Sequence, residues 1–214
     1  TWDRQKLAAL FIELEFNTLG KRVLGEDFAE LASGGEAGPP VELKTISDVA
    51  HRYEMVDTAE KRKDLIQQLS GLAAFCFDVE TTGLDVKRCG LVGIAFSWKA
   101  HGGFYVPVPA ERAKALALLE ELRPVFEGSA EKVGHNLKSD LGVLRWHGIS
   151  VLGPFFDTML AAALIDPDGR RGMDHLAQTL LNYQPIAISE LIGEKGNEQL
   201  GMNLVPLNEI VEYA

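Results

Sequence analysis

Two acidic residues, Asp78 and Glu80, stand directly after the most apolar run of the chain. An apolar run predicts a strand, and residues two apart on a strand point to the same face, so both carboxylates should project together at the edge of the core. Two carboxylates about 4 Å apart repel each other by several kcal/mol at an effective dielectric of about 20. The pair therefore needs a cation or must keep a proton, and Mg²⁺ and Mn²⁺ prefer such oxygen ligands. Considered alone, the motif also fits a solvated turn, which is the commoner structure.

A third acidic residue, Asp140, follows a short predicted strand that ends at Gly134. Asn136 is a natural N-cap, so Asp140 is expected on the first turn of a helix. A carboxylate there interacts favourably with the helix dipole, and the same geometry could instead bring it into the cleft beside Asp78 and Glu80. The residues alone leave both interpretations open.

Two further residues belong to this group of candidates. Asp157 stands at another junction between a strand and a helix, where it is expected to be an ordinary cap. Tyr213 lies near the end of a last helical stretch that begins around residue 206. A tyrosine in that position usually packs in the core or on the surface.

The elements that must position these residues alternate along the chain and predict an α/β fold, a mixed β-sheet flanked by helices. Strands are predicted at 53–56, 72–77, 91–98, 103–108 and 132–134. Helices are predicted at 58–69, 110–126, 137–146, 157–165, 173–182 and from 206 to the end. Gly102-Gly103 should turn the chain between two antiparallel strands, and the run 72–77 should be covered on both faces, with Cys76 a buried free thiol.

Residue composition and the spacing of apolar residues divide the chain into three segments. Residues 1–24 have helical spacing of apolar residues, residues 25–49 form an acidic linker containing Gly and Pro, and residues 50–214 carry the alternating pattern. The chain begins directly with helical spacing, so we expect it to be a piece of a longer protein.

The composition excludes several classes of protein. The formal net charge of −10 argues against a protein that coats nucleic acid or an anionic membrane by bulk attraction. No stretch approaches the roughly 18 apolar residues of a membrane span, and two cysteines cannot build a disulfide scaffold. A reducing, cytoplasmic setting is the expectation that follows.

Three motifs resemble, in order, those of the DEDD exonuclease superfamily. They are Asp78-Val79-Glu80-Thr81-Thr82-Gly83-Leu84, Asn136-Leu137-Lys138-Ser139-Asp140 and Glu212-Tyr213-Ala214. More closely, residues 50–214 resemble the 3′–5′ proofreading domains of bacterial DNA polymerases I, family A. Supporting stretches are Leu91-Val92-Gly93, Tyr105-Val106-Pro107-Val108, Asp157-Thr158-Met159-Leu160 and Met173-Asp174-His175-Leu176-Ala177.

The resemblance implies a ribonuclease H-like fold and two-metal hydrolysis of the terminal phosphodiester of DNA, which releases a nucleoside monophosphate. Two divalent cations, Mg²⁺ or Mn²⁺, would be the cofactors. Asp78 would bridge both metals, Glu80 would bind the metal that activates water, and Asp140 would hold the second metal directly or through water. Tyr213 would orient the attacking water.

The resemblance also implies substrate contacts to a single-stranded 3′ end. Leu84 matches a residue that wedges between the last bases, and Thr81 and Asn136 match positions near the terminal nucleotide. Lys138 lies inside the second motif as a phosphate contact. Ile188 falls where the family can place a stacking aromatic, and an aliphatic side chain would stack less well.

The pattern departs from the family at its last position. The third motif places a fourth carboxylate four residues after Tyr213, at position 217, whereas the given sequence ends at Ala214. We expect a fragment cut before its site is complete, with weak activity or none, whose parent chain also carries a polymerase domain. A ribonuclease D-like RNA exonuclease remains an alternative, as does a non-catalytic structural domain. The presence of Asp78, Glu80 and Asp140 argues against the latter.

Overall fold

The computed structural model describes residues 3–14, 16–25, 28, 42–194, 196 and 199–214. Residues 26–27 and 29–41, most of the predicted linker, lie outside the described residues. The chain divides into two compact units, one ending at Glu42 and the other beginning at Leu43.

In the first unit the predicted N-terminal helix is formed as two helices, α1 (Arg4–Glu13) and α2 (Asn17–Leu24). Asp3 caps α1 by accepting a hydrogen bond from the backbone N–H of Lys6. Ala8, Phe11, Leu24 and Phe28 form a small apolar cluster of this unit.

The second unit is built on a six-stranded mixed sheet, which confirms the predicted α/β class. Its strands are β1 (Arg52–Met55), β2 (Ala74–Thr81), β3 (Leu91–Lys99), β4 (Gly102–Pro107), β5 (Glu131–Gly134) and β6 (Phe155–Asp157). Their order across the sheet is β1-β4-β3-β2-β5-β6. β3 is antiparallel to β4, as expected, and also to β2. β1 pairs in parallel with β4, and β5 pairs in parallel with both β2 and β6.

The described helices of this unit lie where the periodicity predicts them, with one addition. They are α3 (Ala59–Ser70), α4 (Arg112–Phe126), α5 (Leu137–Trp146), α6 (Thr158–Ile165), α7 (Met173–Leu181), α8 (Ile188–Ile192) and α9 (Leu207–Tyr213). The short helix α8 was not expected. None of the described helices is both long enough and apolar enough to cross a membrane.

The core lies mainly on one face of the sheet. Phe75, Phe77 and Val79 alternate along β2 and pack with buried residues of α3, α4 and α5. A smaller apolar cluster includes Tyr105 of β4 together with Ile210 and Val211 of α9. The second cluster attaches the last helix to the sheet.

Three local expectations are wrong. On the face of β2 opposite Phe75 and Phe77, Cys76 is exposed and not buried as expected, although Glu80 further along the same face is buried. β2 also runs from Ala74 to Thr81 instead of ending at Phe77, which leaves the acidic pair near its C-terminal end, as expected. The turn between β3 and β4 falls at Ala100-His101, and Gly102 already belongs to β4.

Candidate active site

Strand β2 directs Asp78 and Glu80 to the same face of the sheet, as their spacing predicts. On β3, Asp78 is opposite Ala95 and Glu80 is opposite Gly93, and residues directly opposite each other share a face. Both partners are small, so neither covers the carboxylates. Glu80 is buried and Asp78 is half-buried.

Helix α5 brings in Asp140 from the neighbouring part of the sheet. The helix follows β5 after two residues, His135 and Asn136, and Asn136 is left-handed with φ of 61°. Asn136 occupies the N-cap position, but its side chain makes no capping hydrogen bond, so this part of the prediction is wrong. The carboxylate of Asp157 accepts the N–H groups of Asn136 (3.1 Å) and Leu137 (2.9 Å) instead.

Asp157 therefore does more than cap its own helix. It also accepts the N–H groups of Met159 and Leu160 at the start of α6. Burial would raise the pKa of this carboxyl, but the four backbone donors outweigh burial and lower it. One ionised side chain thus joins the beginnings of α5 and α6 and fixes where Asp140 stands.

The carboxyl groups of Asp78, Glu80 and Asp140 lie near one another, because the charge of Asp78 acts on both of the others. Asp140 is buried, and Asp78 is half-buried beside it. Burial, followed by the charge of Asp78, raises the pKa of Asp140 to about 7. Burial and the charges of Asp78 and Asp140 raise the pKa of Glu80 to about 7 as well. Without a cation, the cluster keeps protons that isolated carboxyls would lose.

Tyr213 reaches the same cluster from α9. Burial, followed by the charges of Glu80, Asp78 and Asp174, raises the pKa of its phenol to about 12. The hydroxyl therefore stays protonated at neutral pH and is able to donate a hydrogen bond. The structure thus brings together Asp78, Glu80, Asp140 and Tyr213, whose roles remain predictions.

The residues expected to contact substrate are distributed around this cluster. Thr81 ends β2 and donates its hydroxyl to the carbonyl of Gly83, while Leu84 in the following loop is 99% exposed. Asn136 and Lys138 are exposed at the start of α5. Ile188 is half-exposed at the first residue of α8.

Sequence reasoning missed three neighbours of the cluster. Tyr105 has a buried hydroxyl without a hydrogen-bond partner among the described residues, and the charge of Glu80 acts on its phenol. Asp174 acts on Tyr213 from the first turn of α7. Cys76 stands two residues before Asp78, on the same face. The spacing of two along β2 would have identified Cys76, but Tyr105 depends on strand pairing.

His135 also lies beside the cluster. The hydroxyl of Thr158 donates to the carbonyl of Gly134 (3.1 Å), so Nδ1 of His135 donates to that hydroxyl (2.9 Å). Nε2 is buried with no hydrogen-bond partner within the described residues. Burial raises the pKa of Asp78, and the proximity of His135 opposes that rise.

The chemistry of these donors fits a hard divalent cation. Carboxylate oxygens are the preferred ligands of Mg²⁺, and in the described part of the chain no lysine or arginine forms an ion pair with the three carboxyls. As the side chains stand, no group of three or more His, Cys, Asp or Glu residues among those described is arranged to hold a metal ion. The donor types are present, and the three carboxyls would have to rearrange to bind a cation together.

The sequence matches a known protein family. A family described as 3′–5′ exonuclease matches residues 53–214. DNA polymerase I of Chloroflexus aurantiacus is 31% identical over an alignment that covers 100% of this chain and 25% of that protein. The chain spans between 18% and 25% of the length of the curated DNA polymerases I that it matches at 30% or 31% identity.

Solved structures with a similar fold include one described as a nuclease and an RNase D. NrnC of Brucella melitensis with bound Mg²⁺ has a TM-score of 0.56 and 21% identity, covering 78% of this chain and 73% of its own. RNase D of Trypanosoma brucei has a TM-score of 0.59 and 17% identity, covering 76% and 59%. At these identities the likeness concerns the fold alone, and it confirms the ribonuclease H-like architecture.

Proposed function

The chain belongs to the 3′–5′ exonuclease domains of DNA polymerases I, and from this membership we propose that it hydrolyses the 3′-terminal phosphodiester of DNA with two divalent cations. The observation that carries the proposal is the meeting of Asp78, Glu80 and Asp140, three buried or half-buried carboxyls without a cationic partner among the described residues. A purely structural domain would gain nothing from such a cluster, because burying carboxyls together is unfavourable.

Asp78, Glu80 and Asp140 would hold the cations, either Mg²⁺ or Mn²⁺. When bound, two such ions stabilise the incoming and outgoing oxygens of an in-line displacement and lower the pKa of water. The charge of Asp78 raises the pKa of both Glu80 and Asp140, so Asp78 lies near both carboxyls. This position supports a bridging role for Asp78. The structure of NrnC with bound Mg²⁺ supports the choice of cation.

The chain's own residues would orient the reactants. Tyr213 keeps its proton at neutral pH, so its hydroxyl can donate or accept a hydrogen bond and hold the attacking water. Ionised Glu80 and Asp140 are needed to bind cations, and burial raises the pKa of both carboxyls, so protons compete with the cations. At subsaturating cation we therefore expect the rate to rise with pH.

The substrate would be a single-stranded 3′ end. Leu84, almost wholly exposed beside the cluster, is available to wedge between bases, and Lys138 to contact a phosphate. Thr81 and Asn136 would adjoin the terminal nucleotide, and Ile188 would pack against a base. NrnC bound to pGG shows that a nuclease of this fold holds a short nucleic acid.

The wider setting is also part of the proposal. The parent would be a DNA polymerase I whose polymerase domain holds the duplex, while this domain removes mismatched 3′ nucleotides during replication and repair. Two free cysteines fit a cytoplasmic location.

The substrate test compares matched DNA and RNA oligonucleotides labelled so that the 3′ nucleotide is followed, in Mg²⁺ or Mn²⁺. We expect stepwise release of nucleoside monophosphates from DNA, loss of cleavage in Asp78→Asn, and unchanged cleavage in Asp85→Asn, an exposed control. Preferential cleavage of RNA would favour the ribonuclease D-like alternative, which the structural neighbours support. Equal rates in wild type and Asp78→Asn would overturn the proposal.

We also propose that the 214-residue polypeptide cleaves slowly, because it supplies three of the four carboxylates that the family resemblance implies. Two lengthened chains with Asp or Asn at position 217 provide a matched pair. The Asp form should cleave faster than both the Asn form and the 214-residue chain. Full-speed cleavage by the 214-residue chain would contradict this part of the proposal.

A further inference from the structure

A histidine and a glutamate 161 residues apart in the sequence connect the start of the first strand, β1, to the last helix, α9. His51 immediately precedes β1, and its Nε2 lies 2.9 Å from Oε2 of Glu212 on α9. Its Nδ1 lies 2.8 Å from the carbonyl oxygen of Val49. The imidazole also lies against the ring of Tyr53, with 4.6 Å between centroids.

The two partners of His51 determine its protonation. A backbone carbonyl can only accept a hydrogen bond, and the half-exposed carboxylate of Glu212, when ionised, can also only accept. Both ring nitrogens must therefore carry hydrogen, which makes the ring an imidazolium. The bond to Val49 raises the pKa of His51, burial opposes this, and the bond to Glu212 and its charge add to the rise.

The helix held by this pair needs support. α9 has seven residues, too few to be stable alone, and its buried contacts come from Ile210 and Val211. Glu212 directly precedes Tyr213, so the ion pair fixes the helix at the turn that carries the phenol facing Asp78 and Glu80.

We propose that His51, as an imidazolium, positions Tyr213 by holding Glu212, so that the placement of Tyr213 loosens as His51 loses its proton. The proposal deepens the proposed function and rests on the role given there to Tyr213. His51 and Glu212 are positioning residues, because neither faces the carboxylate cluster.

The two phenols on which the charge of Glu212 acts do not change charge in the same range. Tyr53 on β1 and Tyr183 after α7 are coupled to Glu212, and burial raises the pKa of both phenols above their ordinary value. Near Tyr213 itself, however, Glu80 also titrates at about 7. A test must therefore separate the part of any pH effect that depends on His51.

The test uses nuclear magnetic resonance of the chain labelled with [¹³C]tyrosine and [¹³C]histidine. Four tyrosines give four sets of ring signals, and Tyr213→Phe assigns the one of interest. The variants are His51→Gln, Glu212→Gln and both together. His147→Gln is the matched control, because His147 also bonds a carbonyl through Nδ1 but has no carboxylate partner in the described contacts.

We expect the Tyr213 signals of the wild type to contain a pH-dependent component with the midpoint of His51, absent from His51→Gln and Glu212→Gln and retained in His147→Gln. The His51 midpoint should fall in Glu212→Gln, and the double variant should match either single variant. Identical Tyr213 titrations in wild type and His51→Gln, or additive effects in the double variant, would overturn the proposal.

Cleavage of DNA gives an independent readout. The ratio of wild-type to His51→Gln rates should be about two to five at about pH 6 and approach about one at about pH 9, the scale of a partly exposed ion pair. If the Tyr213 signal follows the protonation of His51 but Tyr213→Phe cleaves DNA like wild type, the link from His51 to Tyr213 through Glu212 stands. The role of Tyr213 in cleavage is then overturned. A rate ratio that does not vary with pH would contradict an effect of the His51–Glu212 pair on cleavage.

Discussion

The carboxyls of Glu80 and Asp140 are held in an unusual state, because the fold buries them beside another acidic group. Their pKa values of about 7 mean that the folded chain binds protons that the unfolded chain releases near its ordinary value of about 4. Between those values the native state holds more protons, so stability falls as pH rises. Above about pH 7 the full penalty is present unless a cation offsets it.

Glu80→Gln removes this penalty at one site. At about pH 8 without metal, the free energy of unfolding of the variant should exceed that of wild type by on the order of 1 to 3 kcal/mol. This difference should vanish at about pH 4. Urea unfolding at both pH values measures it, with Glu194→Gln, an exposed glutamate, as control. Added Mg²⁺ should stabilise wild type more than Glu80→Gln. Equal pH profiles for the two chains would count against burial as the cause.

Among the described residues, Lys132 is the buried charged residue outside the cluster, with no measurable exposure. Its ammonium donates to the carbonyl of Gly128 and lies 5.7 Å from the centre of the Phe75 ring. Burial lowers its pKa below the ordinary 10.5. The unfolded chain therefore holds this proton more tightly, and the contribution of Lys132 to stability rises with pH up to that value.

Lys132→Met isolates that contribution. The free energy of unfolding of wild type, relative to the variant, should increase from about pH 7 to about pH 10. Paired denaturant titrations of the two chains at each pH measure the difference, since other titrating groups cancel. A difference that stays constant or falls over this range would show that burial does not govern this lysine.

At the residue scale the sequence predicts what local spacing determines. The common face of Asp78 and Glu80 follows from the period of a strand, and the first-turn position of Asp140 follows from the junction at Gly134. The exposure of Cys76 could not be read from its apolar neighbours, because it depends on which face of β2 the helices cover.

At the scale of elements, the junction of β5, β6, α5 and α6 decides where Asp140 stands. Asp157 alone accepts backbone N–H groups from the starts of both helices. Its role as a cap is visible in the sequence, but its link to α5 requires the parallel pairing of β5 with β6, which no local pattern encodes.

Asp157→Asn keeps the shape of the side chain and removes its charge. We expect a loss of about 2 kcal/mol in the free energy of unfolding at about pH 7, since charge-assisted bonds to both helices are weakened. Because the pKa of Asp157 is lowered, this stabilisation is present above the ordinary 3.8 and disappears as pH falls through the folded value. Asp168→Asn, an exposed acid in the loop after α6, is the control. Equal stability of both variants would contradict the joint role of Asp157.

At the scale of the whole molecule, the net charge of −10 argues against binding of nucleic acid by bulk attraction but not against binding at a local site. Asp78, Glu80 and Asp140 contribute to that count, and under the proposed function their charge would be neutralised by cations. An acidic chain of this kind should hold only a few nucleotides, through the metals and exposed residues such as Lys138 and Leu84.

DNA binding should therefore be weak and dependent on divalent cations. Fluorescence anisotropy of a labelled single strand, measured with Ca²⁺ and then with EDTA, checks this. We expect binding to be lost in EDTA and to weaken in Lys138→Gln, with Lys114→Gln, an exposed lysine of α4, as control. Tight binding that persists in EDTA would contradict the metal-mediated account.

The central claim is that Asp78, Glu80 and Asp140 form one cation site, and the electron paramagnetic resonance signal of free Mn²⁺ tests it most directly. Titrating Mn²⁺ with the wild-type chain should deplete the free signal, and Asp78→Asn should abolish most of that depletion, while Asp85→Asn should leave it unchanged. Depletion by Asp78→Asn equal to that of wild type would contradict the account.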